Sequence, residues 1–301
     1  EVSVFLGKNP FQSHGFARTR VILREIQKDP NRSIIVIDPR RSDTAEMADY
    51  HVAVRPGTDA WCLAALAAIL VQDGLVAKQW LAEHTTGYAS VAEALQRISV
   101  ADYAKTCGVD VALLRIARAK SVSMIEDLGV QMNLHSTLNS YLNRLVWLLT
   151  GHYARPGTNN AFVPLLNLSS STREAAPKSG TDSSTGGKPR LGAYSPVTGA
   201  KVIMGLIPCN VIPEEILTDH SDRFRAMFIE SSNPVHALAD SKRMREAVRA
   251  LDVSVVIDVA MTETARQADY VLPASSQFEK AEATFFNLEF PSNGFHLRQP
   301  L

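Results

Sequence analysis

Only three cysteines occur in the 301 residues, Cys62, Cys107 and Cys209, and they stand far apart in the chain. They form no CxxC pair and no even-numbered framework, so no zinc site, iron–sulfur site or disulfide scaffold is encoded; each reads as a small buried apolar residue. Charge of neither sign is in excess, with 31 Lys and Arg against 31 Asp and Glu. A chain devoted to nucleic-acid phosphate would carry a basic surplus, and that class is set aside. The longest apolar run, residues 61–71, falls short of the roughly 20 residues that span a bilayer. No basic n-region precedes the first apolar residues, so no signal peptide is read.

What is present is apolar patterning. Hydrophobic residues make up 46% of the chain, and at roughly 150 residues per domain the length suggests two cores. The sequence opens directly on a core strand, VSVFL, which leads us to expect a fragment of a longer polypeptide. A turn rich in Gly, Asn, Pro and Ser follows, then helical spacing over 16–27, a break at 29–31 and a second buried strand, SIIVI. Strand, helix and strand in succession predict βαβ units on a parallel sheet. A short strand is expected at 51–54, then the turn RPGTD and a helix from Asp59 to Val71 with Thr58 as a candidate cap. Helical patterns follow at 77–83, 91–98 and 109–120, a strand at 121–125 and a long amphipathic helix at 134–150. Residues 161–200 are rich in Ser, Gly and Pro and lack periodicity, so a linker is expected there, its core from 169 being the least ordered part. Beyond it, strands are expected at 225–229, 253–257 and 270–272, with a helix at 239–250.

The two α/β stretches match each other. Asn-Pro follows a strand at Asn9-Pro10 and again at Asn233-Pro234. An Asp ends the next strand at Asp38 and Asp258; six residues on comes Thr-Ala, and four beyond each Thr comes Ala-Asp-Tyr. Identical spacing from Asp through Thr-Ala to Ala-Asp-Tyr points to a duplicated unit with two equivalent ligand sites. In open parallel sheets ligands bind beyond the carboxyl ends of the strands. The turns at 7–14 and 231–235 are expected to offer backbone N–H groups to phosphate, and Asp38 and Asp258 to accept from ribose hydroxyls or base N–H groups. Thr44 and Thr264 are expected to cap or pack.

The strings GKNPFQSH, IDPRRSDTAEMADYHVAVRPGTD, LTGHYARPGTNN, ESSNPV and VVIDVAMTETARQADYVLPASSQFEKAEATFFNLE resemble the molybdopterin oxidoreductases that carry a bis-molybdopterin guanine dinucleotide. The resemblance covers about two-thirds of the chain. It implies an α/β fold of two related, doubly wound αβα domains with mainly parallel sheets, set at residues 1–160 and 201–301 on either side of the linker. It implies that Gly7, Asn9, Pro10, Ser13, His14, Asp38 and Arg40 serve one dinucleotide, together with Gly57, Thr58 and Asp59, where the carboxylate would pair with guanine N1–H and N2–H. Ser232, Asn233, Asp258 and Lys280 would serve the other. Gln131 and His135 are the polar candidates of a loop near the pterins, although Met132-Asn133 departs from the family's usual Gln-His. Two plain alternatives stay open: Asp59 as an acid favoured at a helix start, and Lys280 as a solvated surface lysine.

The resemblance also implies what lies elsewhere in a parent protein: a [4Fe–4S] cluster and the metal's protein ligand upstream, and a closing barrel domain downstream. The cofactor implied is bis-molybdopterin guanine dinucleotide with Mo or W. No metal ligand and no catalytic residue are assigned within the chain. A small-molecule substrate and electron-transfer subunits are the implied partners, with no nucleic acid and no membrane insertion. A cytoplasmic location is expected, export of the parent staying open. The function read is the cofactor-binding core of a two-electron oxidoreductase, inactive alone. A non-catalytic electron-transfer relative would show eroded turns, and Asn-Pro, Asp and Gly-Thr-Asp are all intact. A two-lobed binding protein is the third reading, opposed only by the family motifs.

Overall fold

In a computed structural model describing residues 1–13, 18–109, 118–160, 194–203, 205–287 and 294–301, VSVFL and SIIVI become the central strands of a parallel sheet. These are β1 (Val2–Leu6) and β2 (Ser33–Ile37), flanked by β3 (Tyr50–Val52) and β4 (Val122–Glu126) in the order β3-β2-β1-β4. All three pairings are parallel. Such strands are buried on both faces and therefore read as unbroken apolar runs. Val2, Val4, Leu6, Ile35 and Ile37 point into one core. Their alternates Phe5, Ile34 and Val36 point into another with Leu23 and Ala45. That second core is roofed by α1 (Thr19–Lys28) and α2 (Asp43–Met47).

The larger core is built on α3 (Asp59–Gln72), in which every residue except Trp61 and Gln72 is buried. A helix apolar all round has to be surrounded. Here α4 (Lys78–His84), α5 (Tyr88–Gln96), α6 (Val100–Cys107) and α8 (Ser136–Leu149) contribute Leu81, Leu95, Cys107 and Leu142 to the same cluster. The one-turn α7 (Leu128–Gln131) leads from β4 towards α8. The expected helix at 109–120 and the start of the one at 16–27 lie largely outside the described residues. Helix α6 was not expected; its eight residues are half polar, but Ser99 accepts from Asp102 N at its start and Gly108 ends it at φ 72°.

Two compact units divide the chain, Glu1–Leu165 with Phe286–Gly294, and Leu166–Phe285 with Phe295–Leu301. The second carries β5 (Ala226–Glu230), β6 (Val253–Asp258) and β7 (Tyr270–Pro273), paired in parallel in that order. Its register repeats that of the first: Val4 faces Ile35 as Phe228 faces Val255, and Ile35 faces Tyr50 as Val255 faces Tyr270. One face packs Ile229 and Val256 on Val235, Met244 and Val248, from α10 (Pro234–Ala237) and α11 (Ser241–Ala250). The opposite face leaves Phe228 72% and Tyr270 62% exposed. A short α9 (Ile212–Ile216) precedes β5, and strands β8 (Glu282–Asn287) and β9 (Gly294–Arg298) pair with each other.

The expected linker lies outside the described residues up to 193, but its end, 194–200, is a turn closed on a buried acid. Glu215 accepts from Val197 N at 3.0 Å, Thr198 N at 2.9 Å and Thr198 Oγ1 at 2.6 Å. Burial pushes its pKa up, but these hydrogen bonds outweigh it and hold the carboxyl below its ordinary range. No helix among the described residues is long and apolar enough to cross a membrane.

Candidate functional site

The chain winds outward from β1 to β3 and then returns to place β4 on the other side of β1. Such a reversal is where open α/β sheets bind ligands, beyond the strands' carboxyl ends. The loops leaving β1 and β4 meet there. Gly129 N donates to Gly7 O at 3.0 Å. A Cβ on Gly7 would stand 2.8 Å from Val130 N, and one on Gly129 would stand 2.6 Å from Gly7 O. Gly7 also has φ 56°, a conformation that disfavours any side chain. Lys8, 7% exposed, is ion-paired to Asp127 across the crossing. The other Asp127 oxygen accepts from Leu128 N at 2.9 Å, so one carboxylate fixes both loops.

Beside this crossing the Asn-Pro turn is latched from within. Thr44 Oγ1 donates to Asn9 Oδ1 at 2.7 Å and accepts from Phe11 N at 3.2 Å. Asn9 Nδ2 donates to Asp43 at 3.3 Å. The second unit repeats the device. Thr264 Oγ1 donates to Asn233 Oδ1 at 2.7 Å and accepts from Val235 N at 3.1 Å, and Asn233 Nδ2 donates to Glu263 at 2.6 Å. Both threonines are fully buried. Asp49 and Asp269 close the other end, accepting from Ile34 N and Ser254 N at 2.8 Å each. The Asn side chains therefore face inward, and sequence reasoning missed their acidic partners. A readable signal existed: an acid precedes Thr-Ala in both copies, Asp43 and Glu263.

Most amides of the two turns are consumed internally, contrary to the expectation of a row of exposed N–H groups. Gln12 N and Ser13 N donate to Asn9 O, and His236 N and Ala237 N donate to Asn233 O. Among the described residues, the Asn9, Ser232 and Asn233 amides have no acceptor. Asp38 and Asp258 are half-buried. Each spends Oδ1 on the amide two residues on, Arg40 N at 2.8 Å and Ala260 N at 3.2 Å. Their Oδ2 atoms remain open acceptors. After successive strands the first unit thus presents the free Asn9 amide, the second the free Ser232 and Asn233 amides, and each a free carboxylate oxygen.

Asp59 is buried at the start of α3, 6% exposed, and Asn133 Nδ2 donates to its Oδ2 at 2.7 Å. Burial chiefly, and the nearby Asp38 charge in lesser part, raise its pKa above the ordinary carboxylate value. Asn133, where the sequence departs from the family's Gln-His, is held in turn by accepting from His135 N at 2.9 Å. The His135 ring stands edge-on to Trp61 at 5.6 Å between centroids. Thr58 does not cap α3; its hydroxyl donates to Arg55 O at 2.6 Å. Gly57 has φ 80° and open space where a Cβ would stand.

Asn9, Asp38, Asp59 and His135 thus fall at the carboxyl edge of the first sheet. Pro10 is buried, while Ser13, Arg40 and Gln131 are exposed around it, and His14 lies outside the described residues. In the second unit Ser232 and Asn233 follow β5 and Asp258 ends β6. Lys280 is exposed between β7 and β8 and makes no hydrogen bond or ion pair to either. Among the described residues no cluster of three or more His, Cys, Asp or Glu is arranged to hold a metal ion.

A family model described as molybdopterin oxidoreductase matches residues 1–296. The alpha subunit of a formate dehydrogenase from Methanocaldococcus jannaschii is 27% identical over 301 residues, covering 95% of this chain and 42% of the relative. The catalytic subunit of the Bacillus subtilis assimilatory nitrate reductase is 26% identical, covering 88% and 38%. Formate dehydrogenase H of Escherichia coli is 24% identical, covering 90% and 38%. Among solved structures, acetylene hydratase from Pelobacter acetylenicus has the same fold, with a TM-score of 0.76 at 20% identity over 98% of this chain and 43% of that one. The chain spans about two-fifths of the length of these proteins.

Proposed function

Because the chain belongs to the molybdopterin oxidoreductase family, we propose that each unit seats one half of a bis-molybdopterin guanine dinucleotide. It would be the cofactor-binding part of a molybdenum or tungsten enzyme acting on a small substrate, with a [4Fe–4S] cluster and electron-transfer partners belonging to the rest of that enzyme. The observation that carries this reading is the pair of open groups left by each latch: the Asn9 amide with Asp38 Oδ2, and the Asn233 amide with Asp258 Oδ2. A phosphate takes an N–H donor, and a sugar hydroxyl or base N–H takes a carboxylate oxygen. The donor set therefore fits a nucleotide in both units. In the first, Asp59 offers a fixed, desolvated acceptor to guanine N1–H and N2–H, and the bare face of Gly57 leaves room for a ring to approach. Lys8 and Asp127 hold the β1 and β4 loops together beneath it. When bound, the group supplies two-electron exchange at its metal. This chain's residues bind it, orient it and set the field around it.

Calorimetric titration with GMP and AMP tests the role given to Asp59. GMP should bind about tenfold more tightly, a difference of about 1.4 kcal/mol. The preference should grow as pH rises through the ionisation of Asp59, which lies above the ordinary carboxylate range. Asp59→Ala should abolish the preference and leave weak binding of both. Equal affinity of the unmutated chain for the two nucleotides would overturn the assignment.

A further inference from the structure

The loop after β4 inverts the usual partition of side chains. Met132 is 82% and Leu134 99% exposed, while the polar Asn133 between them is turned inward and half-buried. Burial ordinarily takes the apolar side chain and leaves the amide in water, so a specific contact holds Asn133 in. Its backbone carbonyl accepts from Ser136 N at 3.1 Å and its Oδ1 from His135 N at 2.9 Å, which starts α8. Those two bonds make a turn that serine or aspartate would make equally well. The third does not belong to the turn: Nδ2 donates to Asp59 Oδ2 at 2.7 Å, across 74 residues of sequence. The amide cannot be reversed, because a flipped Asn133 would set Oδ1 against the carboxylate and Nδ2 against an N–H. The His135 ring against Trp61 makes a second tie between this loop and α3.

We propose that Asn133 is the positioning residue of the guanine subsite: its amide holds the Asp59 carboxylate towards the ligand, so that purine choice belongs to the pair and not to Asp59 alone. This role rests on Asp59 as the guanine acceptor. Asp59 is the first residue of α3, where an unheld carboxylate is drawn to the positive end of its own helix and serves only as a helix-start acid. Asn133 pulls against that. It takes one lone pair of Oδ2, and a carboxylate has about four acceptor sites, so enough remain for guanine N1–H and N2–H. The contact also favours the charged carboxylate. Burial chiefly, and the Asp38 charge in lesser part, oppose ionisation of Asp59, while its own amide and Asn133 support it. Cys62, one turn along α3, is the other titratable group that feels its charge. Adenine brings no such pair of donors to the acceptor, so loosening Asn133 should weaken GMP and spare AMP.

The test compares the unmutated chain with Asn133→Ser, whose hydroxyl still accepts from His135 N but is too short to reach Asp59. In calorimetric titration the roughly tenfold GMP preference should fall to about twofold, with AMP binding unchanged. The pH at which the preference appears should rise, because the carboxyl has lost a donor to its ionised form. Infrared titration without nucleotide reads the same loss. The Asp59 band, identified by its disappearance in Asp59→Ala, should ionise about one pH unit higher. A residue that only starts α8 would move the thermal midpoint and neither of these. Asn133→Asp keeps the turn but sets two carboxylates together, so the preference should vanish and the Asp59 band should move further still. This variant decides alone if Asn133→Ser does not fold. Equal affinity of the unmutated chain for GMP and AMP would remove Asp59 as the acceptor, and the role of Asn133 with it. A GMP preference and an Asp59 titration left unmoved by both variants would overturn the role of Asn133 alone.

Discussion

Gly7 and Ser231 hold the same place in the two units, two residues before the latched Asn, and both are left-handed, at φ 56° and 52°. Each amide donates to the last apolar residue of the next strand, Ile37 O at 2.9 Å and Ile257 O at 3.0 Å. In the first unit the loop after β4 crosses directly over this residue. The described sheet of the second unit has three strands and no such crossing, and Ser231 is exposed. The Asn–Thr latch is therefore a local device that forms with or without a neighbour on top. Glycine is demanded at position 7 by the fourth strand, a tertiary requirement laid over a conformation the turn already imposes.

Exchanging the two residues is the sharpest way to break this comparison. Gly7→Ser should cost about 3 kcal/mol or more, because its Cβ meets backbone atoms that cannot rotate away and the left-handed strain adds to the clash. Trp61, Trp80 and Trp147 all lie in the first unit, so urea titration followed by tryptophan fluorescence reads that unit alone. A midpoint unchanged by Gly7→Ser would mean that the loop after β4 yields, and that the crossing does not fix the site.

The same contrast explains how much was legible beforehand. The run SIIVI is buried at every position, and such strands announce themselves by composition; the duplicated Asp, Thr-Ala and Ala-Asp-Tyr gave the repeat because spacing is a one-dimensional property. The latch was half visible, as two threonines expected to pack, but its hydrogen bonds to Asn9 and Asn233 span 35 and 31 residues and no local pattern encodes them. The Gly7–Gly129 crossing is longer still in sequence. It exists only once β4 has docked. Asp59 is legible as a helix-start acid, whereas Asn133, which fixes it from 74 residues away, shows in the sequence only as a departure from the family pattern.

A milder perturbation should act on both units, though not equally. Thr44→Val keeps the shape of a fully buried side chain but strips Asn9 Oδ1 of its donor and Phe11 N of its acceptor. The expected cost is about 2 kcal/mol, read by tryptophan fluorescence in urea. In the second unit Thr264 N also donates to Asn233 Oδ1 at 3.2 Å, so Thr264→Val leaves that oxygen a partner. Its cost should be about 1 kcal/mol, read as faster hydrogen exchange of the β5 and β6 amides with the tryptophan transition unmoved. Costs in the reverse order would show that the two latches are not the same device.

The smallest effect is expected from Ser231→Gly, which gives the second unit the residue of the first. A serine held at positive φ carries about 1 kcal/mol of backbone strain. Glycine removes it but is freer in the unfolded chain, which returns roughly half of the gain. The Ser231 side chain makes no hydrogen bond among the described residues, so nothing else is lost. The net gain should be about 0.5 kcal/mol, seen as roughly twofold slower exchange at the β5 amides. Ser231→Ala keeps the left-handed strain and should gain nothing. If glycine instead weakens the second unit as much as Thr264→Val does, the serine side chain itself steadies the turn, and the equivalence of the two positions ends at the backbone.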